Sequence, residues 1–247
     1  MPDRAILVIR KDDRFSAILR QKGIEVTNLE LIHTEPLADL SLLDEKIAEL
    51  GQYDGLFFTS PAAADVFLKR GEDAILDFPG NFYVLGGRAK SAFEKSGLPV
   101  VYFDKANTGK ELIEHIGTRA LSGKRLLFVR GNRSMRTLPT SLNGIADLDE
   151  VVVYNTVENM LPDEALAGIR DNLQNGFFEW ICFFSPSGIE SFNRYFAAES
   201  PPDTKIAAIG TTTAAAARNA SMNVQFVSSK SDAEVFAESF ISHIFHE

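Results

Sequence analysis

A single cysteine, Cys182, occurs in the 247-residue chain, which excludes a disulfide framework and a thiolate metal cluster. Set between Ile181 and Phe183 in an apolar run, it reads as a buried structural thiol rather than a nucleophile. Histidine is also scarce. His33, His115, His243 and His246 have neither metal-ligand spacing nor a clustered cysteine or carboxylate, so no metal site is expected. Positive charge is in deficit: the formal net charge of −9 excludes a general nucleic-acid binder, although local donors can still hold an anionic small ligand. No apolar run is long enough to span a membrane, and the one after Met1-Pro2-Asp3-Arg4 is too short for a signal-peptide core. A cytoplasmic chain with no membrane partner is the expectation. A phosphate loop, a nucleophile elbow and paired carboxylates at strand ends are all missing, and no cofactor is called for.

What is present occurs twice. The apolar run Tyr53-Asp54-Gly55-Leu56-Phe57-Phe58-Thr59 leads into Ser60-Pro61, and Phe178-Glu179-Trp180-Ile181-Cys182-Phe183-Phe184 leads into Ser185-Pro186 at an offset of 125 residues. Serine at such a junction can cap the following helix, and proline suits a first-turn position whose N–H would have no partner anyway. Val84-Leu85-Gly86 matches Ala208-Ile209-Gly210 at an offset of 124, and Phe67 answers Phe192. Ile6-Leu7-Val8-Ile9-Arg10 matches Leu126-Leu127-Phe128-Val129-Arg130 at an offset of 120. Loop insertions produce drift of this size, and so long a period indicates a duplicated domain rather than a solenoid.

Short apolar runs predict strands near 5–10, 25–34, 54–59, 82–85, 99–103, 124–130, 148–158, 179–184, 205–209 and 224–227. Apolar residues at spacings of three and four predict helices over 40–50, 61–70, 88–96, 109–121, 162–173, 186–196, 212–220 and 232–244. This alternation predicts an α/β fold of parallel sheets covered by helices on both faces. The stretches 26–35 and 151–158 are longer and end in the related Ile32-His33-Thr34 and Tyr154-Asn155-Thr156, with Pro36 or Pro162 following. They are the expected interdomain connections. Whether the first βα unit joins its own half or crosses to the other is left open.

Ligands of open α/β sheets bind beyond the carboxyl ends of the strands. Those ends carry Arg10, Thr59-Ser60, Gly86-Gly87-Arg88, Arg130-Gly131-Asn132, Ser185-Pro186-Ser187-Gly188 and Gly210-Thr211-Thr212-Thr213, a set without an acidic residue. Hydroxyl and N–H donors backed by helix dipoles suit carboxylates or phosphates. Each serine also has a plainer reading as a helix cap, and Arg133 and Arg136, expected on the next helix, have one as solvated surface. Arg10 and Arg130 occupy matching strand ends, where a planar fork would bind carboxylate or phosphate. The Gly86 and Gly210 turns do not complete a dinucleotide fingerprint. Tyr154 is the one titratable side chain in a telling place, on a connecting strand toward the gap between domains, although packing alone would also put a tyrosine there.

In order and spacing these pieces resemble uroporphyrinogen-III synthase across essentially the whole chain. The carriers are the strand ending in Arg10, Phe58-Thr59-Ser60-Pro61, Val84-Leu85-Gly86, Leu127-Phe128-Val129-Arg130-Gly131-Asn132, Val153-Tyr154-Asn155-Thr156, Phe184-Ser185-Pro186-Ser187-Gly188 and Ile209-Gly210-Thr211-Thr212-Thr213-Ala214. The resemblance implies two flavodoxin-like domains, residues 1–35 with 159–247 and residues 36–158, joined by a two-stranded ladder, with the active site in the interdomain cleft. It implies a cofactor-free lyase that closes hydroxymethylbilane, a linear tetrapyrrole with eight carboxylates, into uroporphyrinogen III with inversion of ring D and loss of water; a monomer is the separate expectation. Transient contact with the preceding pathway enzyme fits the same picture. Tyr154 is then the acid for the departing hydroxyl. Arg10, Thr59, Ser60, Gly86, Arg130, Gly131, Asn132, Ser185, Ser187, Gly188, Thr211, Thr212 and Thr213 are the expected substrate ligands.

The chain departs from the family pattern twice. Lys11-Asp12-Asp13 follows Arg10 where many relatives have a proline-containing turn, and two carboxylates there would repel the substrate if they faced the cleft. Gly86-Gly87-Arg88-Ala89 stands where Thr-Ala often occurs, whereas Thr213-Ala214 keeps it, so the second half carries the firmer binding expectation. Outside the family, the same rim would fit a non-catalytic bilobal module that clamps a small polycarboxylate. A nucleotide-dependent transferase lacks its phosphate loop.

Overall fold

Short apolar runs become strands and the segments spaced by three and four become helices, in a computed structural model that describes residues 5–196 and 203–246. The chain begins β1 (Ala5–Ile9), α1 (Arg14–Gln21), β2 (Glu25–Asn28), β3 (Ile32–Pro36), α2 (Ser41–Ala48), β4 (Gly55–Phe58), α3 (Pro61–Gly71), β5 (Asn81–Val84) and α4 (Gly87–Lys95). It continues with α5 (Gly109–Ile116), α6 (Thr118–Leu121), β6 (Arg125–Gly131), α7 (Thr137–Leu142), β7 (Asp147–Glu158) and α8 (Asp163–Gln174). The last elements are β8 (Phe178–Phe183), α9 (Pro186–Phe196), β9 (Lys205–Ala208), α10 (Thr211–Asn219), β10 (Val224–Val227) and α11 (Ala233–His246). Two compact units result, Met1–His33 with Val157–Glu247 and Thr34–Thr156. Among the described residues no helix is long and apolar enough to cross a membrane.

The first unit holds a sheet in the order β10-β9-β8-β1-β2, so β1 lies between β2 and β8 with parallel pairing on both sides. In the unit's own chain order this is 2-1-3-4-5, the flavodoxin-like arrangement. Alternate residues of each strand feed opposite layers. Leu7, Ile9, Ile181 and Phe183 pack with Ile189, Phe192 and Phe196 of α9 and Leu166 and Leu173 of α8. Ile6, Val8, Trp180 and Cys182 pack with Phe15 and Leu19 of α1 and Phe236, Phe240 and Ile244 of α11. A strand buried on both faces cannot show polar alternation, which is why these runs read as uniformly apolar. Each fully buried Phe or Leu contributes about 1.5–3 kcal/mol. Burial also raises the Cys182 thiol well above its ordinary range, so it stays protonated.

The second unit's sheet runs β3-β7-β6-β4-β5, with β7-β6-β4-β5 parallel and a single further bridge from Tyr83 to Val101. The strand expected over 99–103 is reduced to that bridge. Leu56, Phe58, Leu127, Val129, Val151 and Val153 pack with Phe67 and Phe93 on one face. Phe57, Tyr83, Leu126 and Phe128 pack with Leu112, Ile113, Leu138 and Leu142 on the other. The Ser-Pro strands β4 and β8 occupy corresponding sheet positions, as do β6 and β1. Unrelated doubly wound sheets share such positions, so this correspondence belongs to the architecture.

The structure changes several sequence expectations. The run 25–34 is two strands, because its partner changes: Leu29 N donates to Val8 O (2.9 Å), whereas Leu31 O accepts from Asn159 N (2.9 Å). Leu37 N donates to Val153 O (3.0 Å), so β3 climbs as β7 descends and the pair is antiparallel, with Pro36 on the edge strand where a missing donor is tolerated. The helix expected over 109–121 breaks at Gly117, whose φ of +88° favours glycine and ends α5. Helices α1 and α7 are expected only without bounds, as the helix of the first βα unit and the one after Arg130, and Arg133 and Arg136 lie in the turn before α7 rather than on it.

Candidate active site

The carboxyl ends of adjacent strands β1, β8 and β9 bring Arg10, the 185–188 turn and the 211–213 turn together along one edge of the first unit. Ser185 Oγ accepts from Gly188 N (3.1 Å) and lies 3.1 Å from Ser187 Oγ, so it caps α9. Gly188 is buried close to β1: a β-carbon there would lie 3.4 Å from Ser185 Oγ and 3.7 Å from Ile9 Cγ2. Thr211 is exposed and Thr212 half-buried, but the Thr213 side chain, 4% exposed, turns into the core. Arg10 stacks over the Phe184 ring at 4.2 Å and pairs with Asp13 at 2.7 Å.

The adjacent strands β6, β4 and β5 line up Arg130-Gly131-Asn132, Thr59-Ser60 and Gly86 in the second unit. Ser60 Oγ caps α3 by accepting from Ala63 N (3.2 Å). Arg130 donates from Nη1 to Gly131 O (2.9 Å), and its Nε lies 2.7 Å from Glu150 Oε2, within pairing range but off the hydrogen-bond direction. Tyr154, on the neighbouring β7, pairs with Gly131 and is 8% exposed.

The turns differ in how many first-turn N–H groups they leave without a partner. A serine cap uses one early N–H and proline has none, so α3 and α9 each keep one open first-turn donor, at Ala62 and Ser187. Helices α4 and α10 start at Gly86 and Gly210, which supply no side-chain cap. The first intrahelical bonds there come from Lys90 N and Ala214 N, leaving three N–H groups open on each helix. Ala89 and Thr213 are buried, so on each of these helices two of the three unpaired N–H groups, at Gly87 and Arg88 and at Thr211 and Thr212, belong to residues that are not buried. Gly86, with a φ of +87°, also suits a position other residues rarely adopt.

Sequence reasoning flagged Asp13 only as a possible source of repulsion, not as a partner of Arg10, and missed Glu150. Asp13 and Glu150 sit against the two arginines assigned to the rim. The only sequence signal was the i,i+3 spacing of Arg10 and Asp13; Glu150 reaches Arg130 through strand pairing. The Asp12-Asp13 pair is not loose in the rim, since Asp12 is held by Arg20 (2.8 and 2.9 Å) and Asp13 caps α1 through Phe15 N (3.0 Å).

A pocket of about 400 Å³ was also missed, lying within the second unit and lined by Thr34, Glu35, Pro36, Leu40, Ala62, Asp65, Val66, Lys69, Arg70 and Tyr154. Residues of β3, α3 and β7 meet there only through tertiary packing. Arg70 is committed to Asp44 through two bonds of 2.6 Å. An apolar wall with one phenol and a few charged groups can seat a ring and present a proton to it.

A family model described as uroporphyrinogen-III synthase HemD matches residues 13–243. A Chlorobaculum parvum protein named uroporphyrinogen-III synthase is 28% identical over 246 residues, covering 95% of this chain and 97% of its own. A Synechococcus elongatus protein of the same name is 25% identical over 189 residues, 74% of this chain and 70% of its own. Among solved structures, a mutant uroporphyrinogen III synthase from the extreme thermophile Thermus thermophilus aligns with a TM-score of 0.68 at 14% identity, covering 99% of this chain and 100% of that one. Uroporphyrinogen-III synthetase from Helicobacter pylori 26695 aligns at 0.61 and 19% identity, covering 97% and 99%. At such identities the likeness to solved structures is one of fold.

Proposed function

The chain belongs to the uroporphyrinogen-III synthase family, lyases of haem biosynthesis, and on that premise we propose that it closes hydroxymethylbilane into uroporphyrinogen III, with Tyr154 as the acid. Substrate carboxylates are held at the open N–H groups of α4 and α10, assisted by the hydroxyls of Thr59, Ser60, Ser185, Ser187 and Thr212. Arg10 and Arg130, already neutralised by Asp13 and Glu150, orient these turns and add guanidinium donors to the rim. Neutral donors suffice for a polyanion in a chain of net charge −9, because aligned dipoles act at short range.

The observation that carries the reading is Tyr154 lining an open pocket beside a donor-rich rim. Loss of the hydroxymethyl oxygen as water leaves an electrophilic azafulvene. The substituted carbon of ring D attacks it, and the spiro intermediate fragments and recloses with ring D inverted. The reactive groups all belong to the substrate. What the chain supplies is a geometry that favours the crowded carbon, an effect that can contribute about 7–11 kcal/mol, and a proton for the leaving oxygen.

Supplied with enzymatically generated hydroxymethylbilane, the protein is expected to yield the type III isomer; the type I isomer alone, which forms spontaneously, would overturn the assignment. Tyr154→Phe is expected to lower turnover by about 10²-fold with product affinity nearly intact, and unchanged turnover removes Tyr154 from the acid role. The reading includes a cytoplasmic monomer. Because the linear tetrapyrrole closes unaided to the wrong isomer, transient contact with the enzyme that makes it would shorten its transit.

A further inference from the structure

Around Tyr154 the polar groups of the preceding strand end are turned inward. Gly131 N donates to Ser134 Oγ (3.1 Å), and Gly131 O accepts from Arg130. Asn132 N donates to Tyr154 O (3.1 Å), while Asn132 Oδ1 accepts from Thr156 N (2.9 Å). Asn132 therefore grips β7 on both sides of Asn155. The β6–β7 register slips between Arg130 and Gly131, so Arg130 faces Val152 but Gly131 faces Tyr154, with Val153 passed over. Such a slip re-aims the side chain that follows it.

The slip also drives the Tyr154 ring onto Gly131. A β-carbon at Gly131 would clash with the phenol end of the ring, at Cζ and at Cε2 (2.5 Å), and would lie only 2.7 Å from the phenol oxygen. Gly131 does not have a left-handed φ, so glycine is required here for the ring's sake and not for the backbone's.

We propose that the Gly131-Asn132 turn positions Tyr154, and that its groups fix the phenol instead of binding substrate. The catalytic consequence rests on the synthase reading. A side chain at 131 would lever the ring away from its place, and loss of the Asn132 amide would free the β7 backbone that carries it. Positioning of this kind is felt in turnover, because a displacement of about an ångström can cost on the order of 10²-fold.

The test compares Gly131→Ala, Tyr154→Phe, the double variant, and Gly168→Ala as a control glycine on the exposed face of α8 with open space around it. Gly131→Ala is expected to lower kcat at least tenfold with KM within about twofold, and to add nothing to Tyr154→Phe. Multiplied effects in the double variant, or a KM change with kcat intact, would overturn the proposal.

Should Gly131→Ala fail to fold, the exposed Asn132 carries the test. Asn132→Ala should lower kcat, and Asn132→Asp, which keeps the acceptor for Thr156 N, should restore it. A KM effect alone, worsened by Asp, would make Asn132 a substrate ligand and overturn the idea. A readout independent of turnover is the ring-carbon NMR signal of Tyr154, picked out among the five tyrosines by its loss in Tyr154→Phe. It should move in Gly131→Ala or Asn132→Ala and stay fixed in Gly168→Ala; an unmoved signal refutes positioning. If the wild-type protein made only the type I isomer, the synthase reading would fall while this signal still decided the packing claim.

Discussion

Replacing Ser185 and Ser187 one at a time separates the two jobs that a serine at a helix start can do. Ser185 Oγ accepts from Gly188 N at 3.1 Å, whereas Ser187 Oγ meets Ser185 Oγ and lies in the first turn of α9. Ser185→Ala removes the cap and strands a first-turn donor, at a cost of about 1 kcal/mol. For a unit of this size that is a fall of roughly 4 °C in Tm. Ser187→Ala should leave stability within about 0.5 kcal/mol, because no cap depends on it. Its expected effect is on binding: a hydroxyl donating to a carboxylate contributes about 1.5–3 kcal/mol, and solvent access puts the loss at the lower end, about tenfold in KM. Thermal melts by circular dichroism and initial rates of type III isomer formation measure the two quantities. Equal destabilisation by both variants with KM unchanged in both would refute the reasoning, since the pair would then be purely structural.

Two further outcomes follow from the ion pairs. Asp13→Asn keeps the cap on Phe15 N but removes the charge 2.7 Å from Arg10, so KM for the polycarboxylate should fall with stability nearly unchanged; an unchanged KM would place Arg10 outside the binding rim. At the amino-terminal edge of the second unit, Asp149 accepts from the Tyr53 hydroxyl (2.5 Å) and Lys46 (3.1 Å), with Arg125 3.4 Å away. The Tyr53 hydrogen bond, followed by Lys46 and Arg125, holds its carboxyl below the ordinary range, and burial raises Tyr53. A lowered carboxylate stabilises the fold above its unfolded value, near about pH 3.9, and the benefit fades as pH falls through the lower folded value. Tyr53→Phe should therefore cost about 1–2 kcal/mol at neutral pH, with the gap to wild type closing below about pH 4. Circular dichroism suits the measurement, since the single tryptophan, Trp180, belongs to the other unit. A gap independent of pH would refute the assignment.

The strand ends were legible because the rules behind them are local. An apolar run followed by Ser-Pro specifies a buried strand, a cap and a first helical turn within a short stretch of chain, and both copies form this way. Helix α1 was harder to see. Its cap, Asp13, sits in a charged stretch whose carboxylates suggest repulsion until Arg20 and Phe15 N are found to hold them. The 25–34 run has no internal sign of its break, since Leu29 and Leu31 are both apolar and both buried and only their hydrogen-bond partners differ.

By itself the sequence determined the class of fold, the places where strands end in donors, the thiol that cannot react and the family pattern. These depend on residues near one another in the chain and on which side chains avoid water. The order of strands, the insertion of β1 between β2 and β8, the carboxylate beside Arg130 and the pocket at Tyr154 depend on residues far apart, and the tertiary structure decided them. Gly131 shows the difference most plainly. In the sequence it is one small residue after an arginine, and only the packed sheet reveals that the space above it is filled by a tyrosine ring.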